Sequence, residues 1–136
     1  MNIHYQKADD AIQLIKSGDR VFIHGGAATP RVLLNILLSK ASVLKDVELT
    51  SISTYGNIEG DHPDVLGSFY LNSLFVSGNV RECANGSYGN YVPVFLSEIP
   101  GLFREGTLPL DVAIVHVSPP DQHGYCTLGT SVEVAL

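Results

Sequence analysis

The sequence predicts an α/β fold, an open and mainly parallel sheet with flanking helices. Three features carry that expectation. Short apolar runs rich in β-branched residues, such as Val112-Ala113-Ile114-Val115-His116-Val117, read as strands buried on both faces of a parallel sheet. Segments with helical apolar spacing alternate with them, as in βαβ units. Two of the runs feed loops rich in Gly or Pro, at the carboxyl ends of strands where open α/β sheets bind ligands.

In chain order, residues 8–17 place Ala8, Ala11, Ile12 and Ile15 on one helical face, and Gly18 suits a left-handed helix end. Residues 20–24 form a strand that delivers Gly25-Gly26-Ala27-Ala28-Thr29-Pro30. Pro30 fits the first turn of the next helix, residues 31–40, with Thr29 as its cap. Residues 47–53 read as the second strand, 55–60 as loop, 63–69 as a helical turn, and 71–77 as the third strand, ending at Gly78. The stretch 81–91 is rich in Asn, Gly, Ser and Tyr and reads as a polar loop. Residues 93–99 read as a short helix or turn turning Val94, Phe95 and Leu96 inward, and 101–109 as a connection. The last strand, 112–117, must stop at Ser118, because Pro119 and Pro120 remove two ladder donors. Thr130-Ser131-Val132-Glu133 has the form of a capping box opening a helix. The chain ends about one turn later, short of a usual helix of roughly eleven residues. A truncation after the start of a carboxyl-terminal helix is therefore expected.

Composition narrows the function. The 136 residues make one domain with room for a core, 45% hydrophobic and 16% charged. A net charge of −6 argues against nucleic acid and anionic membranes as partners. No signal peptide or membrane span is evident, so a cytoplasmic location with reduced Cys83 and Cys126 is expected. No metal-ligand spacing occurs, and no permanently bound cofactor is expected.

The chemically richest stretch is 118–125, with Ser118, Asp121, His123 and Tyr125 around a Gly124 bend. Asp121 and His123 sit two apart and could form an acid–base pair. The simpler reading is that Asp121 caps the turn after Pro120 and His123 bonds to backbone. His116, inside an apolar strand, reads as a core histidine, and His24 as either a ligand contact or a packing residue. Cys126 reads as a small buried thiol, and Ser118 lacks the G-x-S-x-G context of a hydrolase nucleophile. Glu98 and Glu133 are acidic groups near plausible cleft positions, Glu133 being accounted for as a helix cap. Asn85, Tyr88, Asn90 and Tyr91 either bond a substrate or are simply a polar loop. Gly25-Gly26 lacks the spacing of a dinucleotide or ATP loop. It serves either a tight strand-to-helix crossing or a ligand.

Ser118-Pro119-Pro120-Asp121-Gln122-His123-Gly124-Tyr125-Cys126-Thr127-Leu128-Gly129 resembles the signature of the acetyl-CoA hydrolase/transferase family, which includes acetate and 4-hydroxybutyrate CoA-transferases. Gly18-Asp19-Arg20-Val21 leading to Gly25-Gly26-Ala27-Ala28-Thr29-Pro30, and residues 86–91 ahead of Ser97-Glu98-Ile99-Pro100, match in the same order. The resemblance covers the family's amino-terminal domain and implies a CoA-transferase (NagB-like) sheet. It further implies CoA exchange between an acyl-CoA and a small carboxylate through a glutamyl-CoA intermediate. The glutamate belongs to a carboxyl-terminal catalytic domain, so no catalytic residue is expected in this chain. Gly25, Gly26, Ala27, Ser118, Pro119, Asp121, His123 and Tyr125 are the implied substrate-binding residues, and a coenzyme A thioester is a substrate. Beyond Gly56 the only basic side chains besides His are Arg81 and Arg104, so the CoA phosphates should rest mainly on the other domain. An exposed interdomain face would favour a homo-oligomer. The alternatives are a stand-alone metabolite-binding domain without catalysis, or part of an acetyl-CoA hydrolase.

Overall fold

The computed structural model describes residues 5–56 and 64–135. Helix α1 (Ala8–Ile12) leads to strand β1 (Arg20–Ile23), a 3-10 turn (Gly26–Ala28) and helix α2 (Arg31–Ser39). Then follow β2 (Val47–Ser51), α3 (Val65–Ser68), β3 (Phe69–Ser73), α4 (Arg81–Asn85), β4 (Gly89–Tyr91), α5 (Ile99–Arg104) and β5 (Val112–Ile114). Every strand pairing is parallel, and the sheet order is β4-β3-β2-β1-β5. The expected open parallel sheet with flanking helices is thus observed.

Side-chain alternation along the strands separates two unequal faces. One face carries Val21, Ile23, Val47, Leu49, Phe69, Leu71 and Ile114, packed against Ile12, Leu34, Leu37, Leu38, Val80 and Cys83 of the helical side. This is the main core. The other face is mixed. Phe22 meets Phe103 of α5 edge to face at 5.6 Å, while its register neighbours Thr50 and Asn72 are buried polar residues. The Asn72 amide donates to the Glu48 carboxylate on the adjacent strand. A smaller apolar cluster of Ile52, Leu74 and Ile99 closes the carboxyl end of this face.

Arg20 and Asp111 fix where β5 enters. Arg20 Nε and Nη2 donate to the two Asp111 oxygens at 2.8 and 2.9 Å, the Arg20 amide adds a third bond, and the Asp111 amide returns one to Arg20 O. The guanidinium holds the Asp111 carboxyl down at about 2.

Several boundaries depart from expectation, each for a local reason. Helix α1 ends at Ile12, though Ile15 remains buried and Gly18 does take the left-handed backbone (φ 85°). Strand β3 begins two residues earlier than the apolar run, and 81–91 is no loop. It holds α4 and β4, because Cys83 and Gly89, with Val80 just ahead of them, supply buried positions that its polar composition conceals. Phe95 and Leu96 point outward, and the helix begins only at Ile99. Strand β5 is a three-residue edge strand with β1 as its partner. Ala113 and Val117 are exposed, so it is not buried on both faces. No helix starts at residue 130; residues 129–135 run through turns, with Glu133 in left-handed backbone (φ 46°). Of the loop expected over 55–60 only Tyr55 and Gly56 lie within the described residues, and Pro63 lies outside them.

Candidate functional site

Strands β2, β3 and β4 extend the sheet on one side of β1, and β5 returns to the other. The segments leaving β1 and β5 therefore diverge at the carboxyl end of the sheet, which opens a crevice. A cavity of about 280 Å³ lies there. Ala27 and Ala28 line it from the first loop, and residues 116–119 and 127–130 from the second. Its walls are mainly apolar, with the Ser118, Thr127 and Thr130 hydroxyls and His116 as the polar exceptions.

The loop after β1 is held by neighbours far away in sequence. The Gly25 amide donates to Glu133 Oε2 at 2.9 Å, the Gly26 amide to Ser53 O at 2.6 Å, and the Ala27 amide to Ser131 Oγ at 2.9 Å. The Ala28 and Thr29 amides turn back to Gly25 O and Gly26 O. All five amides of residues 25–29 are thus satisfied within the chain, rather than left pointing at an open anion site. Only glycine fits. A Cβ at Gly25 would lie 2.2 Å from Ser53 O and 2.5 Å from Glu133 Oε1, and one at Gly26 would lie 2.7 Å from Ser131 Oγ. Thr29 caps no helix; its hydroxyl donates to Gly26 O and accepts the Tyr55 amide. Asn79 ties the next two loops together by donating to Thr54 O and Gly56 O.

The loop after β5 is a self-contained clamp. The Ser118 amide donates to Thr127 O at 2.9 Å, and the Thr127 amide to Ser118 Oγ at 3.0 Å, closing its neck. At its tip Asp121 Oδ1 accepts the amides of His123 and Tyr125 at 2.8 and 2.9 Å, and Gly124 takes φ 85°. Asp121 is therefore a turn cap, as the simpler reading had it. The His123 ring instead meets the Gln122 amide nitrogen at 3.1 Å, so no Asp–His ring pair forms. Ala27, Ser118 and Pro119 line the cavity, with Gly25 and Gly26 just behind Ala27. Asp121, His123 and Tyr125 stand exposed beyond its rim.

His24 takes the packing place, one of its two expected readings, whereas His116 and Cys126 depart from theirs. His24 is fully buried, and its Nδ1 accepts the His116 amide at 3.3 Å. Its Nε2 has no hydrogen-bond partner among the described residues. His116 is exposed because β5 has already ended, and Cys126 is exposed on the clamp rather than buried. Glu98 and Tyr91 are exposed as well. The capping box expected at 130–133 does not form; the Glu133 and Ser131 side chains instead accept the Gly25 and Ala27 amides. Burial raises the Glu133 pKa above the ordinary glutamate value, opposed by the Gly25 amide and by the nearby His24. Among the described residues no cluster of three His, Cys, Asp or Glu side chains could hold a metal ion, and no helix is long and apolar enough to cross a membrane.

Residues 3–135 match the family model of the acetyl-CoA hydrolase/transferase N-terminal domain. The chain belongs to that family. It is 45% identical over 130 residues to the succinyl-CoA:acetate/propanoyl-CoA:succinate CoA transferase of Fasciola hepatica, covering 93% of this chain and 26% of that protein. It is 34% identical to the 4-hydroxybutyrate coenzyme A transferase of Clostridium kluyveri, covering 91% of this chain and 29% of the relative. RipA from Yersinia pestis superposes with a TM-score of 0.80 at 27% identity, over 91% of this chain and 31% of that one. A 4-hydroxybutyrate CoA-transferase from Porphyromonas gingivalis gives 0.63 at 26% identity, over 91% and 27%. The chain therefore spans roughly a quarter to a third of the length of these family members.

Proposed function

We propose that this chain is the amino-terminal domain of a CoA-transferase that moves CoA between an acyl-CoA and a small carboxylic acid, such as acetate or 4-hydroxybutyrate. Family membership together with a cavity at the sheet's switch point carries the reading. A glutamate of a second, carboxyl-terminal domain attacks the thioester carbonyl, expels CoA as thiolate and becomes an acyl anhydride. The thiolate then attacks the anhydride at the glutamyl carbonyl, giving glutamyl-CoA and releasing the first carboxylate. The acceptor acid runs the sequence backwards.

In this proposal the domain contributes binding and no nucleophile. At about 280 Å³ the cavity suits a short acyl group or carboxylate and is too small for the whole of CoA. Ala27, Ser118 and Pro119 contact the acyl group, with Gly25 and Gly26 shaping the wall behind them. Asp121, His123 and Tyr125 hold the clamp tip toward the opposing domain and the CoA chain. The cytoplasmic location and homo-oligomeric assembly belong to the same proposal.

The test is CoA exchange between acetyl-CoA and propionate, measured on this chain alone and on a polypeptide that includes the carboxyl-terminal domain. The expected result is an active long form and a silent chain. Exchange by the 136-residue chain would overturn the reading, and hydrolysis outrunning exchange in the long form would replace transferase with hydrolase.

A further inference from the structure

Resting on that reading, we infer that Glu133 is a positioning residue: its carboxylate, set on the Gly25 amide, fixes the loop that forms one wall of the acyl cavity. Residues 127–130 line the opposite wall and run directly into Ser131 and Glu133. Both walls are therefore joined by two hydrogen bonds, Ala27 to Ser131 and Gly25 to Glu133, across 104 and 108 residues of sequence. These bonds set the distance between the walls.

Three observations favour a positioning role over simple packing. Glu133 takes left-handed backbone, which a non-glycine side chain adopts at a cost. Its carboxylate is partly withdrawn from water onto a single amide, and the half-buried position disfavours its charge. A glutamine would accept the same hydrogen bond without burying a charge. Gly25 and Glu133 also fit one another so closely that no Cβ can stand between them. Strain and desolvation are both spent on holding the glycine loop against the cavity. The groups that bear on this carboxylate are the Gly25 amide and His24.

The test reads the loop directly. In the ¹⁵N-correlated NMR spectrum of this chain, the Gly25 amide should shift as pH falls through the Glu133 titration, with a midpoint above the ordinary glutamate value. In Glu133→Gln that titration should vanish while Gly25 stays protected from hydrogen exchange; in Glu133→Ala exchange at Gly25 should quicken at least tenfold. A Gly25 amide that does not titrate, or titrates equally in Glu133→Gln, overturns the inference whether or not any transferase activity exists. In the long form Glu133→Ala should raise KM for the carboxylate at least tenfold, and Glu133→Gln should recover most of it. Equal losses in both variants would overturn the positioning role and leave the transferase reading intact.

Discussion

Gly25→Ala should be among the most damaging single-methyl additions this chain can take. Gly25 has φ −114°, so alanine would meet no backbone penalty, and the effect isolates space alone. The new methyl would lie 2.2 Å from Ser53 O, a backbone atom two residues beyond β2, and 2.5 and 2.8 Å from the two Glu133 oxygens. The glutamate can swing aside; the Ser53 carbonyl cannot, because it also accepts the Gly26 amide. Overpacking of this kind costs about 3 kcal/mol at the upper end of its usual range. For a domain of this size that lowers Tm by roughly 10 °C. Gly78→Ala is the control, since its Cβ would meet nothing within 4 Å. Thermal unfolding followed by circular dichroism reads both. Adding Glu133→Ala to Gly25→Ala should recover only part of the loss, because the Ser53 clash persists. A Gly25→Ala variant within about 2 °C of the parent would refute the packing described for the loop.

Four further outcomes follow from the charges, thiols and turns. The raised Glu133 pKa means that its contribution to stability is present below the ordinary glutamate value and lost as pH rises through the folded value; urea titrations at pH 7 should therefore find Glu133→Gln at least as stable as the parent. Asp111, depressed to about 2 by Arg20, contributes stability above its ordinary value that is lost as pH falls from about 4 towards 2. Asp111→Asn should flatten acid unfolding across that window. Exposed Cys126 should react with a thiol reagent in the native protein, and buried Cys83 only after denaturation, giving one equivalent and then two. Asp121→Ala strands two amides at the clamp tip and should cost about 1 kcal/mol, with faster proteolysis near Gly124, while Asp121→Asn keeps the acceptor and most of the stability.

The parallel sheet was legible because its signal is local. Val21 and Ile23, Val47 and Leu49, and Ile114 are apolar at alternate or successive positions, and each run ends in Gly, Ser or Pro chemistry. The Asp121 turn was legible for the same reason, its partners being two and four residues away. What the sequence hid depends on partners elsewhere. Strand β4 has only Gly89-Asn90-Tyr91 to announce it, and is a strand because β3 offers it a ladder. His116 looked like core until β5 proved three residues long, which left it outside. Thr130-Ser131-Val132-Glu133 carries the composition of a capping box, yet its acceptors serve amides more than a hundred residues upstream. Local pattern cannot distinguish a side chain that caps its own helix from one that caps a distant loop.

The return of β5 to the far side of β1 has a consequence for how the site comes into being. Arg20 and Asp111 are 91 residues apart, and Gly25 and Glu133 are 108 apart. Closing contacts of such span is slow, because loop-closure entropy must be met before any of them stabilises the chain. The β1–β2–β3 portion can assemble from nearer neighbours, but the cavity has no second wall until the last strand has crossed over. On the proposed function, affinity for an acyl group would therefore be acquired at the end of folding, and a short carboxylate bound there would select against every partly folded form, acting as a clamp on the whole chain rather than on one loop.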